Sequence, residues 1–474
     1  MLKGSSMQNL FSEVTSLDQR CYKDFGLTED LLMEHAADGM ADYIHHNYDA
    51  DTSITVVCGS GNNGADGIAL ARQLHGDFSV ALLLPLGVKS TMAKLQLQRA
   101  EAIGVLVLSE LQDADVLVDA LFGSGFGRTF DLKTEQLLQK MNLSSAEKVA
   151  CDIPSGLHLD GTMEKDSFKA DVTLTMGALK RGMFSDSAKE IVGEITVIDL
   201  GVSRNVYEDE TNWKLLDEAD LELPHRYLKN SHKGSYGHTA VVCGEKQGAA
   251  VMAGLAALRF GSGLVTLVSN NEEQIPYELM QSHLLPASTT AIALGMGLGV
   301  EFSNDELLKL LDNTFPLLLD ADIFIHPLFL TLLKRENLVL TPHPKEFVTI
   351  LEMTGLAKIS VSELQKERFK YVELFCEHYP EVVLLLKGAN VIVGQGTQFY
   401  VNPHGSNILA KGGSGDVLAG LITSLLAQGV TPLNAAINGT LAHTLAAKNT
   451  EVNSYALSPI DLIQAVSILT KEVS

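Results

Sequence analysis

The sequence predicts an α/β protein of two domains, each a largely parallel sheet covered by helices. The first observation is that short apolar, β-branched runs alternate with segments of helical periodicity through most of the chain. The second is a polar, acidic stretch around residues 210–224 that has no clean period and separates two such series. The third is a length of 474 residues, which is enough for two or three separate cores. We therefore expect domains at residues 1–212 and 213–474.

The elements of the first domain follow from these runs in chain order. A helix at 29–46 is expected before the first strand, and further helices at 65–75 and 91–104 lie between strands. The apolar runs predict strands within SITVVCG (53–59), SVALLLP (79–85), ADVLVDALFG (114–123), EKVACDIP (147–154), ADVTLTMG (170–177) and GEITVIDLG (193–201).

The second domain shows the same alternation and ends in three apolar helices. These helices are expected at 416–427, 432–448 and 458–470. Strands are predicted within HTAVVCG (238–244), LVTLVSN (264–270), TAIALGMG (290–297), FPLLLDAD (315–322), NLVLTPHP (337–344), EVVLLLKG (381–388) and QFYVNP (398–403).

Composition narrows the classes of function. The net charge is −23 and no Lys/Arg cluster forms a stripe, so we expect no nucleic-acid partner. No apolar run is long enough to span a bilayer, and MLKGSSMQNLFSEV at the start lacks an apolar signal core, so we expect no membrane partner. The five cysteines are scattered without a CxxC pair, which favours a reducing, cytoplasmic location.

The segment LAKGGSGDVLAG (409–420) carries the strongest chemical signal. Gly412, Gly413 and Gly415 precede an apolar helix, so several backbone N–H groups and the positive end of the helix dipole should converge on one anion. Asp416 stands where this loop meets the helix and could accept a proton from a substrate hydroxyl. The combination indicates phosphoryl transfer to an alcohol, and the alternative is an ordinary glycine turn in which Asp416 caps the helix.

Other strand ends in this half carry polar residues. Lys387 follows EVVLLL at the edge where open α/β sheets bind ligands, and could reach nucleotide phosphates. Asp320 and Asp322 in LLLDAD, and His343 in TPHPKEF, lie at two further edges, although each could instead be structural. HKGSYG (232–237) is either a mobile flap over a nucleotide or a surface loop.

The second half resembles the NAD(P)H-hydrate dehydratase family of the ribokinase-like superfamily. The motifs HKGSYGH, GSGLVTL (261–267), GMGLG (295–299), LDAD, TPHPKEF, LLLKGA and NILAKGGSGDVLAG occur in the family's order. The resemblance implies a ribokinase-like αβα sandwich in which Asp416 is catalytic and the hydrated dinucleotide touches Gly263, Gly297, His343 and Asp416. The nucleotide residues that it implies are Lys387, Gly388, Ala389, Asn390, Val391, Asn407, Gly412, Gly413, Ser414 and Gly415.

In the first half, three glycine-rich or polar turns follow predicted strands. VVCGSGNNGADG (56–67) carries Gly59, Gly61 and Gly64 in a Gly-x-Gly-x-x-Gly spacing between a strand and a helix, the context that such a motif requires. DALFGSGFGR (119–128) and CDIPSG (151–156) are the other two turns. Three polar strand ends on one sheet edge predict a ligand pocket, although each alone could be a tight turn.

This half resembles the NAD(P)H-hydrate epimerase family, whose motif order it follows, including LLMEHAADGM in the leading helix. The resemblance implies a Rossmann-like αβα sandwich with Asp152 as the acid/base residue. It implies a potassium ion held by Asn63, Asp119 and Ser155, which supply the oxygen ligands that a hard cation prefers. The implied substrate residues are Asn62, Asn63, Gly64, Ala65, Asp66, Gly123, Ser124, Gly125, Phe126, Gly127, Arg128, Thr129 and Asp152.

The chain departs from the two families at several positions. Ala65 replaces a usual glycine of the first turn, and His35 replaces the usual asparagine of the leading helix. Lys345 stands where HPGEF would have glycine, which adds a charge beside the pocket. Phe126 and Gly127 also make the second glycine turn unusual.

Together the resemblances imply a bifunctional enzyme that repairs hydrated NADH and NADPH. Water adds across a ring double bond of the reduced nicotinamide and gives two epimers at C6. The first domain would interconvert the R and S hydrates, and the second would dehydrate the S form at the expense of ADP or ATP with release of phosphate. A potassium ion, a magnesium ion accompanying the nucleotide and a homo-oligomer are expected, whereas no zinc spacing is present.

Two alternatives stay open at this point. The second domain could be a kinase of a small alcohol, because its superfamily contains many and the anion site alone does not separate them. The first domain could be a non-catalytic nucleotide-binding or interaction module, since fold does not fix function.

Overall fold

The structure is a computed structural model that describes residues 7–127, 129–271 and 274–470. The chain forms two compact units. One comprises Asn9–Thr211, and the other comprises the described residues from Asn212 onward together with Met7 and Gln8.

The first unit is a parallel sheet with helices packed on it. In chain order its elements are β1 (Gln8–Phe11), α1 (Thr15–Asp24), α2 (Glu29–Asn47), β2 (Ser53–Cys58), α3 (Asn62–Leu74), β3 (Ser79–Leu83), α4 (Thr91–Ala102), β4 (Leu106–Leu108), β5 (Val116–Ala120), α5 (Leu132–Leu143), β6 (Glu147–Cys151), β7 (Val172–Met176), β8 (Leu179–Lys180), β9 (Glu194–Ile198) and α6 (Arg204–Tyr207). Seven strands form the sheet in the order β4-β3-β2-β5-β6-β7-β9, all parallel, and β1 pairs with β8 separately.

This strand order fixes where a ligand can bind. The chain leaves β2 for β3 on one side and later returns to β5 on the other side, so a crevice opens beyond the carboxyl ends of β2 and β5. Both strands are almost wholly buried because their residues are apolar on both faces. The loops after them therefore project from a rigid base.

The second unit is a mostly parallel sheet with a small antiparallel edge. Its elements are β10 (Trp213–Leu215), β11 (His238–Val242), α7 (Gln247–Arg259), β12 (Leu264–Val268), β13 (Met280–Ser282), β14 (Ala291–Leu294), α8 (Asn304–Leu310), β15 (Leu317–Leu319), α9 (Phe329–Leu332), β16 (Leu338–Leu340), α10 (Pro344–Met353), α11 (Val361–Lys366), α12 (Arg368–His378), β17 (Val383–Leu386), β18 (Val391–Gln395), β19 (Gln398–Asn402), α13 (Ser414–Ala427), α14 (Pro432–Lys448) and α15 (Pro459–Val466). The strand order is β13-β12-β11-β14-β15-β16-β17-β18-β19-β10, and β18 runs antiparallel to both of its neighbours.

The core of this unit is centred on two helices that are buried around most of their circumference. In α13 every residue from Val417 to Ala427 is buried, and α14 is buried from Ala435 to Ala447. Helices that are apolar all round belong inside a protein rather than on its surface. The N-terminus of α13, which follows the glycine loop, is therefore held in place by the whole core.

The αβα sandwich architecture predicted for both halves is confirmed, and the long apolar runs do form the expected strands. Some details differ. The helix expected from residue 416 begins at Ser414, because Gly413 already supplies the left-handed turn, with φ of 90°, that precedes it. The acidic stretch contains β10 and is preceded by α6, and no strand had been predicted at β18. No helix in the described ranges has the length and apolar character needed to cross a bilayer.

Candidate active sites

A cavity of about 700 Å³ lies at the switch point of the first sheet. The turns after β2 and β5 form much of its wall, and α1, α2 and α6 contribute residues as well. Glycines allow these two turns to approach each other, since a Cβ on Gly59 would lie 1.8 Å from the carbonyl oxygen of Leu121. The glycine at position 59 of the Gly-x-Gly-x-x-Gly motif thus allows the two backbone turns to pack closely beside the cavity.

Most of the predicted dinucleotide residues of this half lie in the cavity wall. Gly64 and Ala65 are instead buried in the first turn of α3, and Thr129 does not line the cavity. Arg128 lies outside the described residues. The predicted residues that do line the cavity are Asn62, Asn63, Asp66, Gly123, Ser124, Gly125, Phe126, Gly127 and Asp152.

Asp152 lies in this wall at the end of β6, in a left-handed backbone conformation with φ of 71°. Its carboxylate accepts hydrogen bonds from the backbone N–H groups of Ser124, at 3.1 Å, and Met176, at 3.3 Å. The Lys180 ammonium lies 2.5 Å from Asp152 Oδ1. Burial acts to raise the pKa of Asp152, but the Lys180 charge and these hydrogen bonds outweigh it and hold the pKa below its ordinary value. A carboxylate with a lowered pKa is the ionised form, which can accept a proton.

Lys180 is a functional candidate that the sequence analysis missed. It is fully buried in β8, and its ammonium also donates to Thr175 Oγ1 at 2.8 Å and to the Met176 carbonyl at 3.0 Å. A buried lysine needs such a set of acceptors and a counter-charge. The signal was available in the sequence, because a lysine four residues after a buried strand is unusual in an apolar context.

Of the three residues expected to bind potassium, Asn63 lines the cavity, whereas Asp119 and Ser155 are fully buried and do not line it. Asp119 at the end of β5 is fully buried, and it accepts hydrogen bonds from Ser155 N and Ser155 Oγ, both at 2.8 Å. Burial raises the pKa of Asp119 to about 6, and no cationic side chain of the described chain pairs with it. The side-chain nitrogen of Asn63 is buried without a hydrogen-bond partner, and Asn63 Oδ1 packs against Gly123.

In the second unit, Asp416 lies in the first turn of α13, beside the ion pair of Lys387 and Asp320. The Lys387 ammonium, after β17, donates to Asp320 Oδ1 at 2.8 Å, and Asp320 is only 2% exposed. A Cβ on Gly415 would lie 3.5 Å from Lys387 Nζ and 4.0 Å from Asp320 Oδ2, so the glycine loop leaves the pair uncovered. The loop, the lysine and both aspartates thus meet at the carboxyl edge of the sheet.

The Asp416 carboxylate does not cap its helix. It accepts no hydrogen bond from the described part of the chain. Burial raises the pKa of Asp416 to about 6, the Asp320 charge raises it as well, and Lys387 opposes them. A carboxylate with a pKa near the working pH can both take and return a proton.

His443 of α14 contacts Ser414, the residue that begins α13 after the glycine loop. Its Nε2 atom lies 2.9 Å from the Ser414 carbonyl and 3.1 Å from Ser414 Oγ. Because burial lowers the pKa of His443 to about 4, the ring is neutral and Nε2–H donates to the carbonyl. The first turn of α13 is therefore anchored to the core.

The remaining predicted nucleotide residues surround this loop. Gly405 approaches Ala389 so closely that a Cβ there would lie 2.2 Å from the Ala389 carbonyl oxygen, which brings the 388–390 and 403–407 segments together. Gly388, Ala389, Asn407 and Gly412 are exposed. Asn390 and Val391 are buried, and Val391 begins β18.

Three residues were expected at the dinucleotide site besides Asp416. His343 caps α10, where its ring accepts from Glu346 N at 3.2 Å, and Glu346 lies within the electrostatic reach of Lys387 and Asp320. Gly297 has φ of 63° and packs against Lys246, in the crevice between β11 and β14. The turn 244–249, which precedes and enters α7 in that crevice, is a second region that sequence reasoning missed. The sequence feature that could have indicated this turn is Gly244, the last residue of the predicted strand segment HTAVVCG.

The structure does not bring Gly263 to Asp416. Gly263 directly precedes β12, and its neighbour Ser262 hydrogen-bonds Ser424 near the other end of α13 at 3.1 Å. Eight residues separate Ser424 from Asp416, which is roughly 12 Å along a helix. Gly263 therefore lies at the amino edge of the sheet, where it packs against the Lys233 carbonyl of a short 3-10 helix formed by the HKGSYG segment.

Comparisons with known proteins match both halves. The NAD(P)H-hydrate dehydratase family model matches residues 239–468, and the model of YjeF-related protein N-terminus matches residues 29–182. The bifunctional NAD(P)H-hydrate repair enzyme Nnr of Helicobacter pylori is 43% identical over 98% of this chain and 100% of its own length. The enzymes of the same name from Coxiella burnetii and Escherichia coli are 33% and 32% identical, over 90% and 89% of this chain and 92% and 85% of their own.

A solved structure also resembles the second half. The ADP/ATP-dependent NAD(P)H-hydrate dehydratase from Bacillus subtilis, co-crystallized with ATP/Mg2+, is 30% identical, covers 53% of this chain and 95% of its own, and gives a TM-score of 0.46. The relatives above, however, extend over both halves and nearly the full length. The chain therefore belongs to the family of bifunctional NAD(P)H-hydrate repair enzymes.

Proposed function

We propose that this protein repairs hydrated NADH and NADPH in two steps, with one active site in each unit. The first unit interconverts the R and S epimers at C6. The second removes water from the S epimer at the expense of ADP or ATP and restores NADH or NADPH. The observation that carries this proposal is the end-to-end match to the repair enzymes, joined to one suitably placed aspartate in each unit.

In the epimerase site, Asp152 is the proton acceptor. Its carboxylate lines the cavity, is ionised beside Lys180, and is oriented by two backbone donors. The glycine turns 60–64 and 123–127 hold the dinucleotide against it, with their N–H groups available to the pyrophosphate.

The residues expected to hold potassium fit such an ion. Asp119 is a buried carboxylate without a cationic partner in the described chain, and Asn63 offers an amide oxygen next to Gly123. Ser155 and Asp119 add hydroxyl and carboxylate oxygens, the donors that a hard cation takes. The ion would fix the turn after β5 and add positive charge near the substrate's phosphates. We expect KCl, compared with tetramethylammonium chloride, to raise the melting temperature of the wild type but not of Asp119→Asn.

In the dehydratase site, Asp416 takes the proton of the substrate's ring hydroxyl. The hydroxyl oxygen attacks the terminal phosphorus of the nucleotide, which forms a phosphate ester and releases the shortened nucleotide. Phosphate then leaves from C6 with its bonding electrons, and loss of the neighbouring proton from the ring restores the double bond. The loop 412–415 and Lys387 stabilise the charge on the transferring phosphoryl group, and positioning accounts for most of the rate.

A magnesium ion would come with the nucleotide. Magnesium is usually held by one or two carboxylates and substrate phosphates rather than by a cage of protein ligands. This agrees with the described residues, in which no cluster of three or more His, Cys, Asp or Glu side chains forms a metal site. Asp320 and Asp416 are the carboxylates that would hold such an ion beside the glycine loop.

The test follows the absorbance of the reduced nicotinamide as it returns from purified epimers. Each epimer is incubated with ADP, with ATP and without nucleotide. Nucleotide-dependent recovery from both epimers supports both activities and identifies the donor. Recovery from one epimer alone refutes the epimerase assignment, and a stable phosphorylated product identifies the second unit as a kinase of an alcohol.

We also propose a cytoplasmic location and a homo-oligomeric state. The five cysteines are all free and buried, which is usual for a protein kept in a reducing compartment. Fractionation of cells and light scattering of the purified protein test the two statements.

A further inference from the structure

Two residues that lie outside both matched family ranges line the cavity of the first unit. Asp18 is in α1 and Tyr207 is the last residue of α6, whereas the matches cover 29–182 and 239–468. The Tyr207 hydroxyl donates a hydrogen bond of 2.8 Å to Asp18 Oδ1. Elements from the two ends of this unit thus place an acidic pair in the same cavity as Asp152.

The pair is firmly built into the site. Tyr207 is 1% exposed, and its ring packs on Gly177, where a Cβ would lie 2.5 Å from the ring atoms. Asp18 is half-buried, and its second oxygen, Oδ2, forms no hydrogen bond with any described residue. This oxygen is therefore available to a ligand in the cavity.

The surroundings of Asp18 hold its pKa above the ordinary value, mainly because the carboxyl is partly buried. Burial raises the pKa of Asp18, and the charges of Asp152 and Glu13 raise it further, while the Tyr207 hydrogen bond and the Lys180 charge oppose them. Asp66 on α3 and Glu29 on α2 line the same cavity, and burial raises the pKa of Asp66 well above its ordinary value. The pKa of Asp152 shifts in the opposite direction. Two carboxyl groups in one cavity with opposite shifts are typical of an acid and a base.

We propose that Asp18, held by Tyr207, is the second acid–base residue of the epimerase site and acts together with Asp152. Asp18 gives its proton to the substrate hydroxyl as the C6–O bond breaks, and the oxygen leaves as water. The lone pair of the ring nitrogen forms a C=N bond, which leaves a cationic ring. Water adds to the other face of C6 and Asp152 takes its proton. Solvent returns the proton from Asp152 to Asp18, so each turnover balances.

This inference rests on the proposed epimerase activity, and substitution of Asp18 tests it separately. We expect Asp18→Asn to slow epimer interconversion by about 100-fold or more, the usual contribution of a general acid. Dehydration of the S epimer and the melting temperature should stay unchanged. Asp24→Asn is the matched control, because Asp24 is an exposed residue at the end of the same helix, and should interconvert the epimers at the wild-type rate.

The pH profile separates an acid from a structural residue. An acid works below its pKa, so the wild-type rate should fall as pH rises through the pKa of Asp18. The Tyr207 hydrogen bond lowers the pKa of Asp18. Tyr207→Phe should therefore move this alkaline limb to higher pH, and it provides the test if Asp18→Asn does not fold.

The outcomes are distinct. Wild-type enzyme that does not interconvert the epimers refutes the proposed epimerase function itself. Active wild type with a fully active Asp18→Asn variant, or an alkaline limb that Tyr207→Phe leaves in place, overturns the role of Asp18. In ¹⁸O-labelled water the wild type should incorporate label at C6 with each inversion, and inversion without label would overturn the C–O cleavage step.

Discussion

Asp152 and Asp416 are both aspartates, but their pKa values shift in opposite directions because their neighbours differ. Asp152 lies against the Lys180 ammonium and two backbone donors, so its pKa is below the ordinary value despite burial. Asp416 has no hydrogen-bond donor in the described chain, and burial and the charge of Asp320 raise its pKa to about 6. Sequence motifs identified both residues, but neither shift is predictable from sequence, because each depends on partners distant along the chain.

Asp416→Asn should abolish dehydration and leave epimerisation intact, because only the hydroxyl's proton acceptor is removed. In the wild type, the dehydration rate should fall roughly tenfold per pH unit below about 6, since the ionised form that acts as base is lost as pH falls through its pKa. Both are measured with the purified S epimer and saturating nucleotide. Full dehydratase turnover in the variant would show that Asp416 is not the base.

Asp152→Ala should remove epimerisation and spare dehydration. It also leaves the Lys180 charge buried without its partner, and breaking a buried ion pair costs about 3–5 kcal/mol. Adding Lys180→Met should recover much of the lost stability but none of the epimerase activity. Melting curves and epimer exchange rates of the single and double variants check this, and restored exchange in the double variant would contradict the role of Asp152.

At the scale of elements, the sequence predicted strands and helices wherever an apolar run was long. Strands such as β2 and β11 and helices such as α13 occur where their patterns indicated. Two of the missed strands were short, since β8 has two residues and β10 has three, too few to show a period. The missed strand β18 is longer, with five residues. Gly263 shows another limit, because a motif gives the order of residues but not which edge of the sheet each one reaches.

The turn from β2 into α3 makes a prediction at this scale. A Cβ on Gly64 would lie 1.9 Å from the Gly59 carbonyl oxygen, whereas one on Gly61 would meet nothing within 4 Å. Gly64→Ala should therefore destabilise the first unit by roughly 1–3 kcal/mol or more, as overpacking does, and Gly61→Ala should not. Urea unfolding followed by far-UV circular dichroism compares the two, and equal stabilities would show that the turn is not tightly packed.

At the scale of the whole molecule, each unit contains all of the acid–base residues that we propose for its site. Asp18, Asp152, Lys180 and Tyr207 all lie within Asn9–Thr211, whereas Asp320, Lys387 and Asp416 lie beyond Asn212. The relative from Helicobacter pylori matches both units in one chain. The sequence alone predicted that the epimerase motifs precede the dehydratase motifs, because each set of motifs lies within one half of the chain.

If each unit has a complete active site, two variants that each lack one activity should complement each other when they are mixed. Asp152→Ala should retain dehydration, and Asp416→Asn should retain epimerisation. Alone, Asp152→Ala should restore NADH only from the S epimer, and Asp416→Asn should restore NADH from neither epimer. A mixture of the two proteins should restore NADH from both epimers. The rate of R consumption should rise with the concentration of the Asp416→Asn protein, because the S epimer must diffuse from one protein to the other. A mixture that restores NADH only from the S epimer would contradict this prediction. It would show that the S epimer must pass from the epimerase site to the dehydratase site of the same molecule.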